Sequence, residues 1–273
     1  MRLGLEAGSH TLDLAVELGI GGVPISADAL VREGLDATLE PLRERDLQVC
    51  QIGAFGYNPL STDRERQAGQ CKVLEQAISL APQAGCRYVT ICGGNYDPSG
   101  FGAGDARNWT DAALNEVAEA LKPMLVLAKQ YDVYICIEPY LKTVVCDPER
   151  FLVLRERVGS DALRVNLDVT SLYSYWDLWD STSTVDHICT SLAGHYGLGH
   201  LKEVGLAEGF HIHAGLVPVG EGNTDWAQVL RLMAPHMPDD SWAILEHVQT
   251  PEEARSSVAV LRAAAEEAGV SLT

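Results

Sequence analysis

Eight short aliphatic runs alternate with longer amphipathic stretches along this chain, and that alternation limits the possible folds more than any other feature. Runs rich in Val, Ile and Leu read as buried strands, and stretches with apolar residues at helical spacing read as helices. Strands are expected at Leu3–Glu6, Gly21–Ile25, Leu47–Ile52, Tyr88–Cys92, Val133–Glu138, Arg164–Asp168, Leu198–Lys202 and Trp242–Glu246. Helices are expected at Thr11–Leu18, Leu35–Arg45, Asp63–Ala84, Thr110–Tyr131, Pro148–Val158, Val185–Ala193, Trp226–Ala234 and Pro251–Ala268. Thr110 and Asp111 precede Leu114, Val117, Leu121 and Leu125, so a capped start leads into an apolar stripe. Gly85 and Gly269 read as helix stops.

Repeated βα units imply a parallel sheet with helices packed against it. Eight of them close naturally into a (β/α)8 TIM barrel, in which chemistry sits at the carboxyl ends of the strands. An open doubly wound sheet is the alternative. The 273 residues, 47% of them hydrophobic, can bury one large core, and barrels of this length are usually single domains. With no linker or low-complexity tract in view, one α/β domain over residues 1–273 is expected.

Thirty-eight acidic against 20 basic residues give a net charge of -18, which repels phosphate backbones, so nucleic acid is not expected as a partner. No stretch approaches the roughly 20 apolar residues of a spanning helix, and the N-terminus lacks an apolar signal segment. No membrane partner is expected, and a cytoplasmic location is. Seven cysteines without CxxC spacing fit buried thiols better than disulfides.

Four strand ends carry the chemistry: Ile135-Cys136-Ile137-Glu138, Val165-Asn166-Leu167-Asp168, Leu198-Gly199-His200 and Ala243-Ile244-Leu245-Glu246. Each apolar run stops at a residue able to bind a divalent metal. If these strands belong to one sheet, three carboxylates and an imidazole converge on one face. Singly, each could equally be a strand-end group that hydrogen-bonds or caps the next helix.

The segments Ile137-Glu138-Pro139, Asn166-Leu167-Asp168, Gly199-His200-Leu201-Lys202-Glu203, Val217 to Trp226 and Ile244-Leu245-Glu246-His247, in this order, resemble the xylose isomerase-like TIM barrels. That group includes ketose 3-epimerases related to tagatose epimerase, hydroxypyruvate isomerase, inosose dehydratase and, more distantly, endonuclease IV. The resemblance implies that Glu138, Asp168, His200 and Glu246 bind one divalent metal, and that Glu138 and Glu246 also act as acid and base on opposite faces of a sugar. The donor chemistry agrees, since three carboxylates and one nitrogen make a hard site, with Mn²⁺ foremost and Mg²⁺, Co²⁺ or Zn²⁺ as alternatives. Such an ion polarises a chelated carbonyl and stabilises an enediolate while the two glutamates move the proton.

Among the other polar residues, Lys202 and Glu203 either orient the imidazole, bind a substrate hydroxyl or form a surface ion pair. His213, and with less support His211, lies in a long loop where relatives place a substrate contact. His10, just past the first strand, either reaches the barrel mouth or serves as a helix cap or a solvent-facing residue. Gly220-Glu221-Gly222 reads as a turn, because a dinucleotide loop needs a preceding strand and a third glycine. Tyr173, Tyr175, Trp176 and Trp179 crowd one short segment, whose rings wall or cover a sugar pocket, anchor a homo-oligomer contact or pack locally.

Two departures from the family pattern stand out. Ser171 occupies the position three after Asp168 where relatives commonly carry His, and Pro24-Ile25-Ser26 replaces an early glutamate. The expected activity is therefore a divalent-metal-dependent isomerase or epimerase acting on a ketose, keto-inositol or related polyol. A dehydratase or lyase is the alternative, since the same enediolate can expel a β-hydroxyl. A non-catalytic sugar- or metal-binding barrel, or a subunit of a larger enzyme, is a third reading.

Overall fold

The computed structural model describes residues 1–98 and 103–273. Eight parallel strands close into a barrel: β1 (Arg2–Leu5), β2 (Gly22–Ser26), β3 (Gln48–Gly53), β4 (Tyr88–Cys92), β5 (Tyr134–Glu138), β6 (Leu163–Leu167), β7 (Tyr196–Leu201) and β10 (Trp242–Leu245). The order around the barrel is β1-β10-β7-β6-β5-β4-β3-β2. This is the (β/α)8 barrel that the alternation implies, and the open sheet is excluded. Two further strands, β8 (Glu203–Ala207) and β9 (His213–Val217), form a separate antiparallel pair.

By its internal contacts the chain falls into two units. The first comprises Met1–Val23, Arg45–Gln48 and Leu167–Thr273. It holds β1, β7 and β10 with helices α1 (Thr11–Leu18), α7 (Thr182–Ser191), α8 (Trp226–Met233) and α9 (Pro251–Ala268). Leu3, Leu5, Leu198, Leu201, Leu245, Leu230 and Leu261 are buried within it. β10 pairs with β1 from Arg2↔Trp242 to Leu5↔Leu245, and with β7 through Ile244↔His200.

The second unit comprises Pro24–Glu44 and Val49–Asn166. It holds α2 (Ala27–Glu33), α3 (Leu35–Arg43), α4 (Arg64–Leu80), α5 (Asp111–Gln130) and α6 (Pro148–Val158). Its core includes Ile52, Val89, Ile91, Ile135, Ile137, Leu121, Leu125 and Phe151. Each such side chain, fully buried, contributes roughly 1.5–3 kcal/mol of transfer free energy. β4 and β5 pair over five residues, ending with Cys92 opposite Glu138.

Helix starts follow side-chain chemistry. Asp63, Thr110, Asp147, Asp225 and Thr250 each accept a hydrogen bond from the backbone N–H three residues on, at 2.7 to 3.2 Å, which satisfies one of the donors a helix leaves free at its start. Gly269 caps α9 in the left-handed region, φ 68°, as the sequence leads one to expect. Other bounds shift. Helix α4 stops at Leu80 and a turn carries the chain to Gly85. The helix expected from Val185 starts at Thr182, and strand β7 starts at Tyr196 and ends before Lys202. Residues 203–217, expected as a loop, form the β8–β9 hairpin, and α2 is an additional helix.

All seven cysteines are free; Cys50, Cys86, Cys92, Cys136 and Cys189 are buried, while Cys71 and Cys146 are half-buried. Among the described residues, no helix is long and apolar enough to cross a membrane.

Candidate metal centre

Asp168 is the first residue past β6 and is buried. Its Oδ1 accepts from Thr170 N at 3.0 Å, Thr170 Oγ1 at 2.8 Å and Ser171 N at 3.2 Å, and its Oδ2 accepts from Ser171 Oγ at 3.0 Å. These bonds close an Asx-type turn that fixes the carboxylate before any ligand arrives. Ser171 thus serves as a support for Asp168.

Lys202 follows β7 and turns inward. Its Nζ donates to Ser171 Oγ and to Glu246 Oε1, both at 3.0 Å, and pairs with Asp168 Oδ2. His200 has a fully buried side chain, with Nδ1 2.9 Å from Glu246 Oε2. Burial alone would raise the pKa of Glu246, but His200 and Lys202 outweigh it and bring the carboxyl down to about 2. Glu246 is therefore ionised at neutral pH, a condition for a ligand and for a proton acceptor alike.

Glu138 closes β5 and is buried. Burial, reinforced by the Glu138 charge, pushes the thiol of neighbouring Cys92 well up, so this cysteine stays protonated. Glu138, Asp168, His200 and Glu246 each offer one ligand atom, and these atoms all lie within 4.8 Å of one another. The His200 imidazolium and the Lys202 ammonium offset part of the three carboxylates while no ion is bound; once the imidazole loses its proton, as a ligand must, the sum is -2, which a divalent cation would neutralise. Buried charge is costly unless it is paired or coordinates a metal. The residues therefore fit a hard divalent ion.

The remaining sequence expectations divide. Lys202 joins the acids and is not a surface ion pair. Glu203 is not one either. It is buried and accepts from Thr224 Oγ1 at 2.7 Å, Trp226 Nε1 at 2.8 Å and Val204 N at 3.3 Å. It thereby anchors the turn at Gly220-Glu221-Gly222 that leads into α8. His213 opens β9 and is exposed, as is His211, whose ring stands edge-on to Phe210. His10 is exposed at the start of α1 and its side chain makes no capping bond.

The aromatic segment splits as well. Tyr173 is buried and its hydroxyl meets Thr224 Oγ1 at 3.1 Å, whereas Tyr175, Trp179 and Trp176 are exposed, Trp176 by 82%. The backbone beneath them is held, with Asn223 Nδ2 donating to Leu178 O at 2.6 Å and Ser174 N donating to Asp177 Oδ2 at 2.6 Å. Elsewhere, a groove of about 530 Å³ is lined by Trp109, Cys146, Arg150 and Arg157 among others, and none of the four clustered residues borders it.

Sequence reasoning missed the supports. The Asp-x-Thr-Ser pattern at Asp168 was the available signal for the Asx turn. Nothing local marked Glu203 as the anchor of a segment some 20 residues on.

The family model described as xylose isomerase-like TIM barrel matches residues 12–264. A D-tagatose 3-epimerase-like protein aligns with a TM-score of 0.75 at 16% identity, covering 98% of this chain and 98% of that one. The probable 3-DHS dehydratase AsbF of Bacillus anthracis aligns at 0.69 and 18% identity, covering 96% and 98%. A xylose isomerase-like TIM barrel protein from Mycobacterium smegmatis in complex with magnesium aligns at 0.70 and 17%, covering 94% and 88%. Identities this low establish shared fold alone. No curated protein matches the sequence. The family match spans nearly the entire barrel, and by it this chain belongs to the xylose isomerase-like TIM barrel family.

Proposed function

We propose that this protein is a divalent-metal-dependent isomerase or epimerase acting on a ketose, keto-inositol or related polyol. The observation that carries this reading is the quartet of ligand atoms from Glu138, Asp168, His200 and Glu246, within 4.8 Å of one another. A divalent ion held by these four residues would polarise a substrate carbonyl and ease removal of the neighbouring C–H proton. Mn²⁺ is the ion we favour, and the neighbour in complex with magnesium makes Mg²⁺ the first alternative.

The chain's own groups supply the rest. Glu138 or Glu246, as the carboxylate, accepts the α-proton, and the other, having taken a proton from solvent, returns one from the opposite face. Asp168, fixed by Thr170 and Ser171, serves as ligand only. Lys202 offsets the mutual repulsion of Glu246 and Asp168, its three N–H donors directed at Asp168, Glu246 and Ser171.

A β-elimination is the second reading, supported by the likeness to a probable dehydratase. It uses the same proton abstraction, but the enediolate expels a β-hydroxyl, which leaves as water on taking up a proton, instead of being reprotonated at carbon.

The test is NMR in D₂O with added Mn²⁺ across a panel of ketoses and keto-inositols. Isomerisation or epimerisation should place solvent deuterium on the substrate's α-carbon, and elimination should release water and leave an unsaturated or rearranged ketone. Glu138→Gln or Glu246→Gln should lower turnover about a hundredfold or more in saturating metal. Asp168→Asn should recover part of its loss as metal is raised. Near-normal turnover in both Gln variants would sink the proton-transfer assignment.

A further inference from the structure

Glu246 is followed by an unusual backbone. His247 adopts φ 59°, and the other non-glycine residues in that region among those described are Asp46 and Asp132. Asp and His enter the left-handed region more readily than most residues with a Cβ, yet it remains sparsely populated for either. A conformation of this kind persists where its surroundings hold it.

The surroundings here are specific. Glu6 stands one residue beyond β1, whose last pair with β10 is Leu5↔Leu245, so Glu6 flanks Glu246 across the sheet. The Glu6 carboxylate bridges two backbones, Oε2 accepting from His247 N at 3.1 Å and Oε1 accepting from Gly8 N at 3.0 Å. On the far side, the His247 carbonyl accepts from Gln249 Nε2 at 2.9 Å. Upstream, Glu246 N still donates to Leu201 O of β7 at 3.2 Å. The peptide leading into Glu246 is thus fixed by the sheet, and the one leaving it is fixed by Glu6. The His247 ring is half-exposed, with Nε2 3.4 Å from Glu246 Oε1.

We infer that Glu6 is a positioning residue for Glu246, acting through the backbone of His247. By holding the His247 N–H, its carboxylate keeps the chain in the left-handed turn, and that turn fixes the direction from which Glu246 reaches His200 and Lys202. Glu6 itself touches neither substrate nor metal. The inference rests on the reading of Glu246 as a ligand given above.

The test is Mn²⁺ binding by calorimetry for the wild type and four variants, together with NMR hydrogen exchange of the His247 amide. Glu6→Ala should weaken Mn²⁺ binding about tenfold, the lower end of what loss of a ligand's support costs, and should expose the His247 amide to exchange. Glu6→Gln keeps one acceptor oxygen and should fall between, which covers the case in which the alanine variant does not fold. His247→Gly added to Glu6→Ala should restore much of the affinity, because glycine reaches φ 59° without a Cβ penalty. His247→Ala added to Glu6→Ala should restore none, since it removes the ring and keeps the Cβ.

Unchanged affinity in both Glu6 variants would overturn the inference. So would equal rescue by Gly and Ala, which would mean that Glu6 acts by its charge or through the imidazole. If the wild type binds no Mn²⁺, the metal-centre reading fails on its own. The His247 amide then still decides the clamp, and fast exchange in the wild type would refute it.

Discussion

Glu203 has a carboxyl that burial pushes above its ordinary value of 4.5, against the pull of hydrogen bonds from Thr224 and Trp226. With a folded pKa above the unfolded one, the folded protein binds more protons across that window. The stability this contributes is complete below 4.5 and is lost as pH rises through the raised folded value. Glu203→Gln does not titrate, so the stability of the wild type minus that of the variant should fall as pH climbs from 4.5. Urea unfolding at a series of pH values measures it, and a flat or rising difference would contradict the assignment. The same residue shows where sequence reading ends. Its type and its place after His200 were plain, but burial and the partners Thr224 and Trp226 depend on a turn that returns some 20 residues later, and no local pattern encodes that return.

At the scale of elements, legibility followed local chemistry. The strand ending in Glu138, the strand that stops at Leu245 just before Glu246, and the helix capped by Thr110 were visible because aliphatic runs and cap residues are short-range signals. The β8–β9 hairpin was not, because Gly205 and Gly215 sit at the middle of its two strands and weaken the strand signal of each. The start of β7 at Tyr196 was missed because Gly197 interrupts the apolar run that leads to Leu198. The turn before α8 depends on close packing. A Cβ at Gly222 would stand 2.5 Å from Glu203 Oε1 and 2.5 Å from the Val204 carbonyl oxygen, and the carbonyl belongs to the backbone of β8. Gly222→Ala should therefore cost about 1–3 kcal/mol. Gly215→Ala, where a Cβ meets nothing within 4 Å, should stay within about 0.5 kcal/mol of the wild type. Paired thermal melts would show it, and equal midpoints for the two variants would reject the packing argument.

Across the whole molecule, the barrel matches its structural neighbours over more than nine-tenths of this chain at identities of 16 to 18%. What persists at that distance is the βα pattern. The buried thiols give the same barrel a further use. Cys50, Cys86, Cys92, Cys136 and Cys189 are buried, and burial pushes Cys189, for one, up to about 12, so each is screened from reagents and unreactive as a thiol. In the native protein an aromatic disulfide reagent should modify at most Cys71 and Cys146 quickly, and the other five only as fast as the structure opens around them. Rapid reaction of more than two thiols without denaturant would contradict the burial described. Followed by mass spectrometry, the five slow sites are built-in stopwatches. Equal rates would time one opening of the entire fold, and unequal rates would map which stretches breathe first.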